Sequence, residues 1–128
     1  MTRSKFEQTV LDTYGVRADY PFEDDFVTGV FRHADTGKWF ALAMNINEGK
    51  IGRAGGRQVD VVNLKCAPEV IESIVGVEVG IYPAYHMNKL HWITVALDEC
   101  EAGMLEWLLG ISYELTRGKN PRGKRRAK

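Results

Sequence analysis

Phe6, Val10, Leu11 and Tyr14 recur at helical spacing over residues 3–14, and Gly15 stands where a helix commonly stops. The pattern predicts a first helix there. Pro21 and the acidic run Glu23-Asp24-Asp25 make a poor helix and read as a loop leading into a strand. From Phe26 to His33, and again from Lys38 to Ile46, β-branched and aromatic residues dominate, with turn chemistry at Asp35-Thr36-Gly37 between them. These runs predict a hairpin. In its second strand Phe40, Leu42, Met44 and Ile46 alternate with Trp39, Ala41, Ala43 and Asn45, so the first set is expected to face the core and Trp39, with Trp92, the opposite side.

A loop holding Gly49, Gly52, Gly55 and Gly56 separates this strand from a third, Gln58 to Lys65, giving a second hairpin with a long tip. Pro68 and Glu69 suit the first turn of a short helix running to Val75, with Val70, Ile71 and Ile74 as its apolar face, expected to cover the tryptophans. After Val79-Gly80-Ile81-Tyr82 and Pro83, the period-two run His91 to Leu97 predicts another strand. Asp98 fits an N-cap for a last helix. Leu105, Leu108, Leu109, Ser112 and Leu115 line one stripe of it, Met104, Trp107 and Ile111 widen that stripe, and Gly118 ends it. The order of elements calls for an α+β sandwich: an antiparallel β-sheet with the N- and C-terminal helices packed on one face.

At 128 residues, 45% of them hydrophobic and 27% charged, the chain suits one globular domain. The first residues lack the apolar stretch of a signal peptide and no apolar run approaches a membrane span, so a cytoplasmic protein that avoids membranes is expected. Cys66 and Cys100 form no metal-type spacing and are expected to be reduced and buried. The net charge of zero conceals an asymmetry, because residues 117–128 carry seven basic side chains and no acid. Over the rest of the chain seventeen acidic residues face ten basic ones. The domain is therefore expected over 1–118, followed at 119–128 by a basic, disordered tail that is either a polyanion-binding arm or a solvated end.

Chemistry-bearing residues gather in two places. In the second hairpin's tip Lys50, Arg53 and Arg57 stand among four glycines without one acid between residues 49 and 57, which suits a loop that approaches a polyanion and equally an ordinary exposed turn. Between Tyr82 and Trp92 lie Tyr85, His86, Asn88, Lys89 and His91, a concentration of donors, acceptors and titratable rings. Asn88 and Lys89 suit phosphate contacts, and Lys65 converges with them if strand three lies beside the last strand. Tyr85, His86 and Asn88 equally suit capping of an irregular segment. His86 and His91 have no carboxylate nearby to complete a metal or acid/base set, and neither GxSxG nor HExxH occurs, so no catalytic centre, metal or cofactor is expected.

The string Tyr82-Pro83-Ala84-Tyr85-His86-Met87-Asn88-Lys89-Leu90-His91-Trp92-Ile93-Thr94-Val95 resembles the hallmark of the MmcQ/YjbR family of small bacterial proteins. Shorter matches stand around it in family order: Asp19-Tyr20-Pro21-Phe22, Leu64-Lys65-Cys66 with Pro68-Glu69, and Ser112-Tyr113-Glu114-Leu115. The resemblance implies a frataxin-like (CyaY-like) sandwich and a double-wing motif in which hairpins approach duplex DNA. On it rests the expectation of a monomeric, non-catalytic DNA-binding protein that contacts phosphate through Lys50, Arg53, Arg57, Lys65, Asn88 and Lys89. The alternative is a small-ligand or protein-interaction module using the Tyr82–Trp92 segment, with Tyr85, His86, His91 and Trp92 as its surface.

Overall fold

A computed structural model describes residues 1–118; the basic tail expected at 119–128 lies outside the described residues. Helix α1 spans Arg3–Tyr14, begun by Thr2, whose side chain accepts from the Lys5 N–H, and ended by Gly15 in the left-handed region at φ 69°. Strands follow at Gly29–Arg32 (β1), Trp39–Asn47 (β2) and Gln58–Lys65 (β3). After helix α2 at Pro68–Ile74 come β4 at Ile81–Pro83 and β5 at Trp92–Ala96, and helix α3 closes the chain at Ala102–Thr116. The strands form one antiparallel sheet in the order β1-β2-β3-β5-β4.

All three helices lie on the same face, as expected for the first and last. Phe6 and Val10 of α1, Ile74 of α2 and Leu105, Leu108 and Leu109 of α3 share one core with Ala41, Ala43, Val62, Leu64, Ile93 and Val95 of the sheet. Burying side chains of this size contributes about 1.5–3 kcal/mol each before entropy is set against it. A second, smaller cluster on the helix-free face joins Val30, Leu42, Met44, Ile46, Val59, Val61 and Ala96.

That division corrects the expected facing of β2. Phe31 pairs with Ala41 but Arg32 pairs with Trp39, so β2 carries one extra residue, Phe40, at a bulge. Phe40 joins Ala41 and Ala43 in the helix-side core, whereas Leu42, Met44 and Ile46 face the other way together with Trp39. Continuing the β2–β3 register would bond the Lys65 N–H to the Phe40 carbonyl. The Ser112 hydroxyl of α3 stands between them instead, accepting from Lys65 N at 2.8 Å and donating to Phe40 O at 2.5 Å. Next to it, the Thr116 hydroxyl donates to the Ser112 carbonyl at 2.7 Å, which leaves its oxygen to accept from Nε2 of the buried His33 at 2.8 Å.

Other boundaries shift for local reasons. Strand β1 is shorter than expected, because Phe26 and Val27 are solvent-exposed in the preceding loop. The N-cap of α3 is Glu101, which accepts from Met104 N, and not Asp98, which is drawn away by an arginine described below. Leu115 and Trp107 are half-exposed, so the buried stripe of α3 runs through Ser112 to Thr116. Helix α2 packs on the helix-side core and does not cover the tryptophans. Both cysteines are free and buried. Among the described residues no helix is long and apolar enough to cross a membrane.

Ser112→Ala is expected to cost roughly 2 kcal/mol, because it leaves a buried N–H and a buried carbonyl without a shared partner. Urea denaturation should show a lower midpoint with an unchanged slope; a loss below about 0.5 kcal/mol would mean that the strands reconnect directly.

Candidate functional site

The tip of the β2–β3 hairpin is an ion-pair cluster built on Glu48, a carboxylate only 2% exposed within a 3-10 turn at Glu48–Ile51. Its Oε2 accepts from the Arg57 backbone N–H at 2.8 Å, and its Oε1 from Arg53 Nε at 3.0 Å. The same guanidinium reaches across to the turn after β5. There Nη1 meets Asp98 Oδ1 at 2.9 Å and Glu99 Oε1 at 3.2 Å, and Nη2 meets Asp98 Oδ2 and Glu48 Oε1, each at 2.9 Å. Four of the five N–H groups of Arg53 are thus hydrogen-bonded, and the Nη2–Glu48 approach adds an ion-pair contact. Arg57 lies at the margin, 3.6 Å from Glu48 and 3.5 Å from Asp98, with its side chain 68% exposed. Lys50 is exposed. The tip also needs Gly55: its φ is +115°, and a Cβ there would stand 2.7 Å from Glu48 Oε2.

Glu99 extends the cluster to β4, accepting from the Tyr82 hydroxyl at 2.5 Å. Burial, reinforced by the bond to Glu99, pushes the Tyr82 phenol up to about 12. The Arg57 backbone N–H foremost holds Glu48 below the ordinary carboxylate range, and Arg53 does the same for Asp98. Arg53 is therefore neutralised by three carboxylates and largely buried, which leaves it poorly placed to meet a phosphate. Two of its three acidic partners, Asp98 and Glu99, come from a turn more than forty residues away, so the cationic reading of the tip could not foresee them.

The Tyr82–Trp92 segment crosses the helix-free face and is pinned there by two buried polar residues, Asn63 of β3 and Thr94 of β5. Thr94 Oγ1 donates to Asn63 Oδ1 at 2.5 Å and accepts from the Tyr85 N–H at 2.9 Å, while Asn63 Nδ2 donates to the Tyr85 carbonyl at 2.8 Å. Sequence reading missed this pair. Its one signal is an asparagine inside the apolar run Val61-Val62-Asn63-Leu64, since a buried amide must find partners. Asn88 organises the turn: its side chain accepts from the Leu90 N–H, and its carbonyl from His91 and Trp92. Lys89 donates to the Ala84 carbonyl at 2.7 Å. Lys65 and Trp92 are register partners, so β3 does lie beside β5, and His91 is exposed next to them.

His86 takes a left-handed backbone at φ 68°, its ring 4.0 Å from that of Tyr85. Besides His86, among the described residues only Asp24, at φ 63°, is a non-glycine with positive φ. Such backbone is uncommon outside glycine and costs of order 1–3 kcal/mol. The two residues lie in loops that face each other across a cleft of about 370 Å3. Trp39, Leu42 and Met44 of the sheet form its floor, Phe22, Asp25 and Thr28 one wall, and His86 and Met87 the other. Phe22 and Trp39 meet edge to face with centroids 5.9 Å apart. Asp25 Oδ1 accepts from the N–H groups of Val27 and Thr28, and hydrogen bonds from Thr28 and Val27 hold its carboxyl below the usual range.

Of the residues expected from the sequence, the cleft takes in His86, with the Tyr85 ring tilted against it; Lys65, Lys89, His91 and Trp92 gather at the adjoining end of the same face, and Lys50 and Arg57 at the hairpin tip. From the sequence alone Phe22 and Asp25 read as loop. Burial raises both cysteine thiols, which disfavours their nucleophilic form. Among the described residues no three His, Cys, Asp or Glu side chains group to hold a metal.

Comparison with known proteins agrees with this architecture. The family model YjbR matches residues 11–115. The Bacillus subtilis (strain 168) protein YyaQ is 36% identical over 118 residues, covering 91% of this chain and 99% of YyaQ. A Pseudomonas syringae protein is 44% identical; its crystal structure matches with a TM-score of 0.88 over 91% of this chain and 100% of that chain. The Deinococcus radiodurans protein DR2400, a DUF419 domain, is 27% identical with a TM-score of 0.68 over 97% of this chain and 88% of that one.

Because folding holds Glu48 and Asp98 ionised below their unfolded values, they contribute stability that is present above about pH 4 and lost as pH falls through the folded values. Glu48→Gln should flatten the acid limb of a stability–pH profile and lower stability at pH 7. An unchanged acid limb would remove Glu48 from the linkage.

Proposed function

The chain belongs to the YjbR family, and on that premise we propose that it is a non-catalytic binding protein whose recognition surface is the cleft between the 20–28 loop and the Tyr82–Trp92 segment. One observation carries the reading: a concave, aromatic-floored space on the helix-free face lies between the two loops that contain Asp24 and His86, both with positive φ. Its volume falls within the usual size of small-molecule sites, and its mix of apolar lining with few polar groups is typical of them. The polar pair Asn63–Thr94 fixes the Tyr82–Trp92 wall before any ligand arrives, which lowers the ordering cost of binding. The absence of an activated thiol, or of a serine paired with a base, among the residues facing this space favours binding over catalysis.

A fragment set followed by 1H–15N and methyl NMR tests this directly. Binding fragments should shift the Trp39 indole and the Met44 and Met87 methyl signals together. Hits confined to other surfaces would contradict the reading.

DNA binding is the second reading, favoured by one arrangement: Lys65 and Trp92 are neighbours on the helix-free face, next to Lys89, so cations and an aromatic ring share one open end. Lys50, Arg57 and Asn88 join this set as phosphate contacts; Arg53 does not, because carboxylates hold it. Anisotropy of a labelled duplex over a salt series separates the contributions. Changing Lys65 and Lys89 to Ala should flatten the log–log salt slope by about two, and the same for Lys50 and Arg57. No binding by the intact protein at low salt would end the DNA reading.

A further inference from the structure

The charge around the cleft says which ligand it suits. Residues 20–28 include Glu23, Asp24 and Asp25 and no base, and none of the cleft-lining side chains is a lysine or arginine. Asp25 itself lines the space; the Arg3 guanidinium, held on the Val27 carbonyl at 2.6 Å, is its nearby positive charge and the least of the influences that lower its carboxyl, and among the described residues no lysine or arginine nitrogen stands within 4 Å of the carboxylate. Its bonds from the Val27 and Thr28 N–H groups, at 3.0 and 2.9 Å, orient it and stabilise the charged form. An anion entering here would meet that charge.

We propose that the cleft binds a small organic cation, a substituted ammonium group on an apolar stem, held between the Asp25 carboxylate and the Phe22 and Trp39 rings. The inference rests on the cleft being the recognition surface and adds the chemical class of its ligand. The two rings stand at 87° to one another, so they present adjoining walls of the kind that surround quaternary ammonium groups. A cation gains from the negative ring faces as well as from the carboxylate, whereas a neutral group of the same shape gains only from burial. Met44 and Met87 supply flexible, polarisable contacts for the stem.

The experiment titrates the full chain with choline and with its uncharged isostere, 3,3-dimethylbutanol, following the Trp39 indole and Met87 methyl signals. Choline is expected to shift both and to bind about tenfold more tightly than the isostere. Asp25→Asn keeps an Oδ1 to accept from Val27 and Thr28, so it should weaken choline by about tenfold without moving the isostere. Phe22→Leu, at a half-exposed position, should likewise weaken choline more than the isostere and serves if the first variant folds poorly. Equal affinities for the two probes, or choline binding indifferent to both substitutions, would overturn the inference. If fragments from the set described above shift the cleft signals while choline does not, the cation class is wrong and the cleft reading stands. If nothing shifts them, both fall.

Discussion

The Ser112 hydroxyl occupies the place of a sheet hydrogen bond, between the Lys65 N–H and the Phe40 carbonyl, and the two faces of the molecule depend on it. On the helical side it ties α3 to the centre of the sheet, so that Leu105, Leu108 and Leu109 descend onto the strands in one register. On the other side it accommodates the extra residue in β2. With Phe40 turned inward at the bulge, Trp39 rotates to the face of Leu42 and Met44, and the floor of the cleft exists. A buried hydroxyl with both donor and acceptor roles filled suits this position because an unfilled role would cost about as much as a core methylene or two.

The helix-free face is closed at one end and open at the other. At the closed end Arg53 joins the hairpin tip to the turn after β5, and Glu99 carries the network to Tyr82. A charge so surrounded is a staple: removing Arg53 would leave the buried Glu48 carboxylate short of its main cation, while Asp98 and Glu99 remain partly in water. At the open end the polar pair Asn63–Thr94 holds Tyr85, and the chain beyond it rises over the sheet to face the 20–28 loop. The fixed and the accessible parts of this face are thus built by different chemistry, ions for the first and a neutral amide–hydroxyl pair for the second.

Much of the fold was legible because it is local. The stripe of Phe6 and Val10 with Gly15 after it bounds α1 as observed, and Gln58–Lys65 is β3 to the residue. What failed depends on distant partners. Period two in β2 breaks at Phe40, whose carbonyl bonds to a serine 72 positions away, and no feature of residues 38–46 announces it. Arg53 looked like a free cation because Asp98 and Glu99 arrive from 45 and 46 positions along the chain. The site was half legible: Tyr85 and His86 stood out in a dense polar segment, but Phe22 and Asp25 looked like loop, since only folding sets them against Trp39.

The central claim is that the bulge at Phe40 places Trp39 on the helix-free face. A 13C-methyl NOESY spectrum of the unmodified chain measures this most directly. The account predicts cross-peaks from the Trp39 indole to the methyl groups of Leu42, Met44 or Met87. Cross-peaks to the Ala41 and Ala43 methyls in their place would put the indole among the helices, and the bulge, the cleft and its chemistry would all be contradicted.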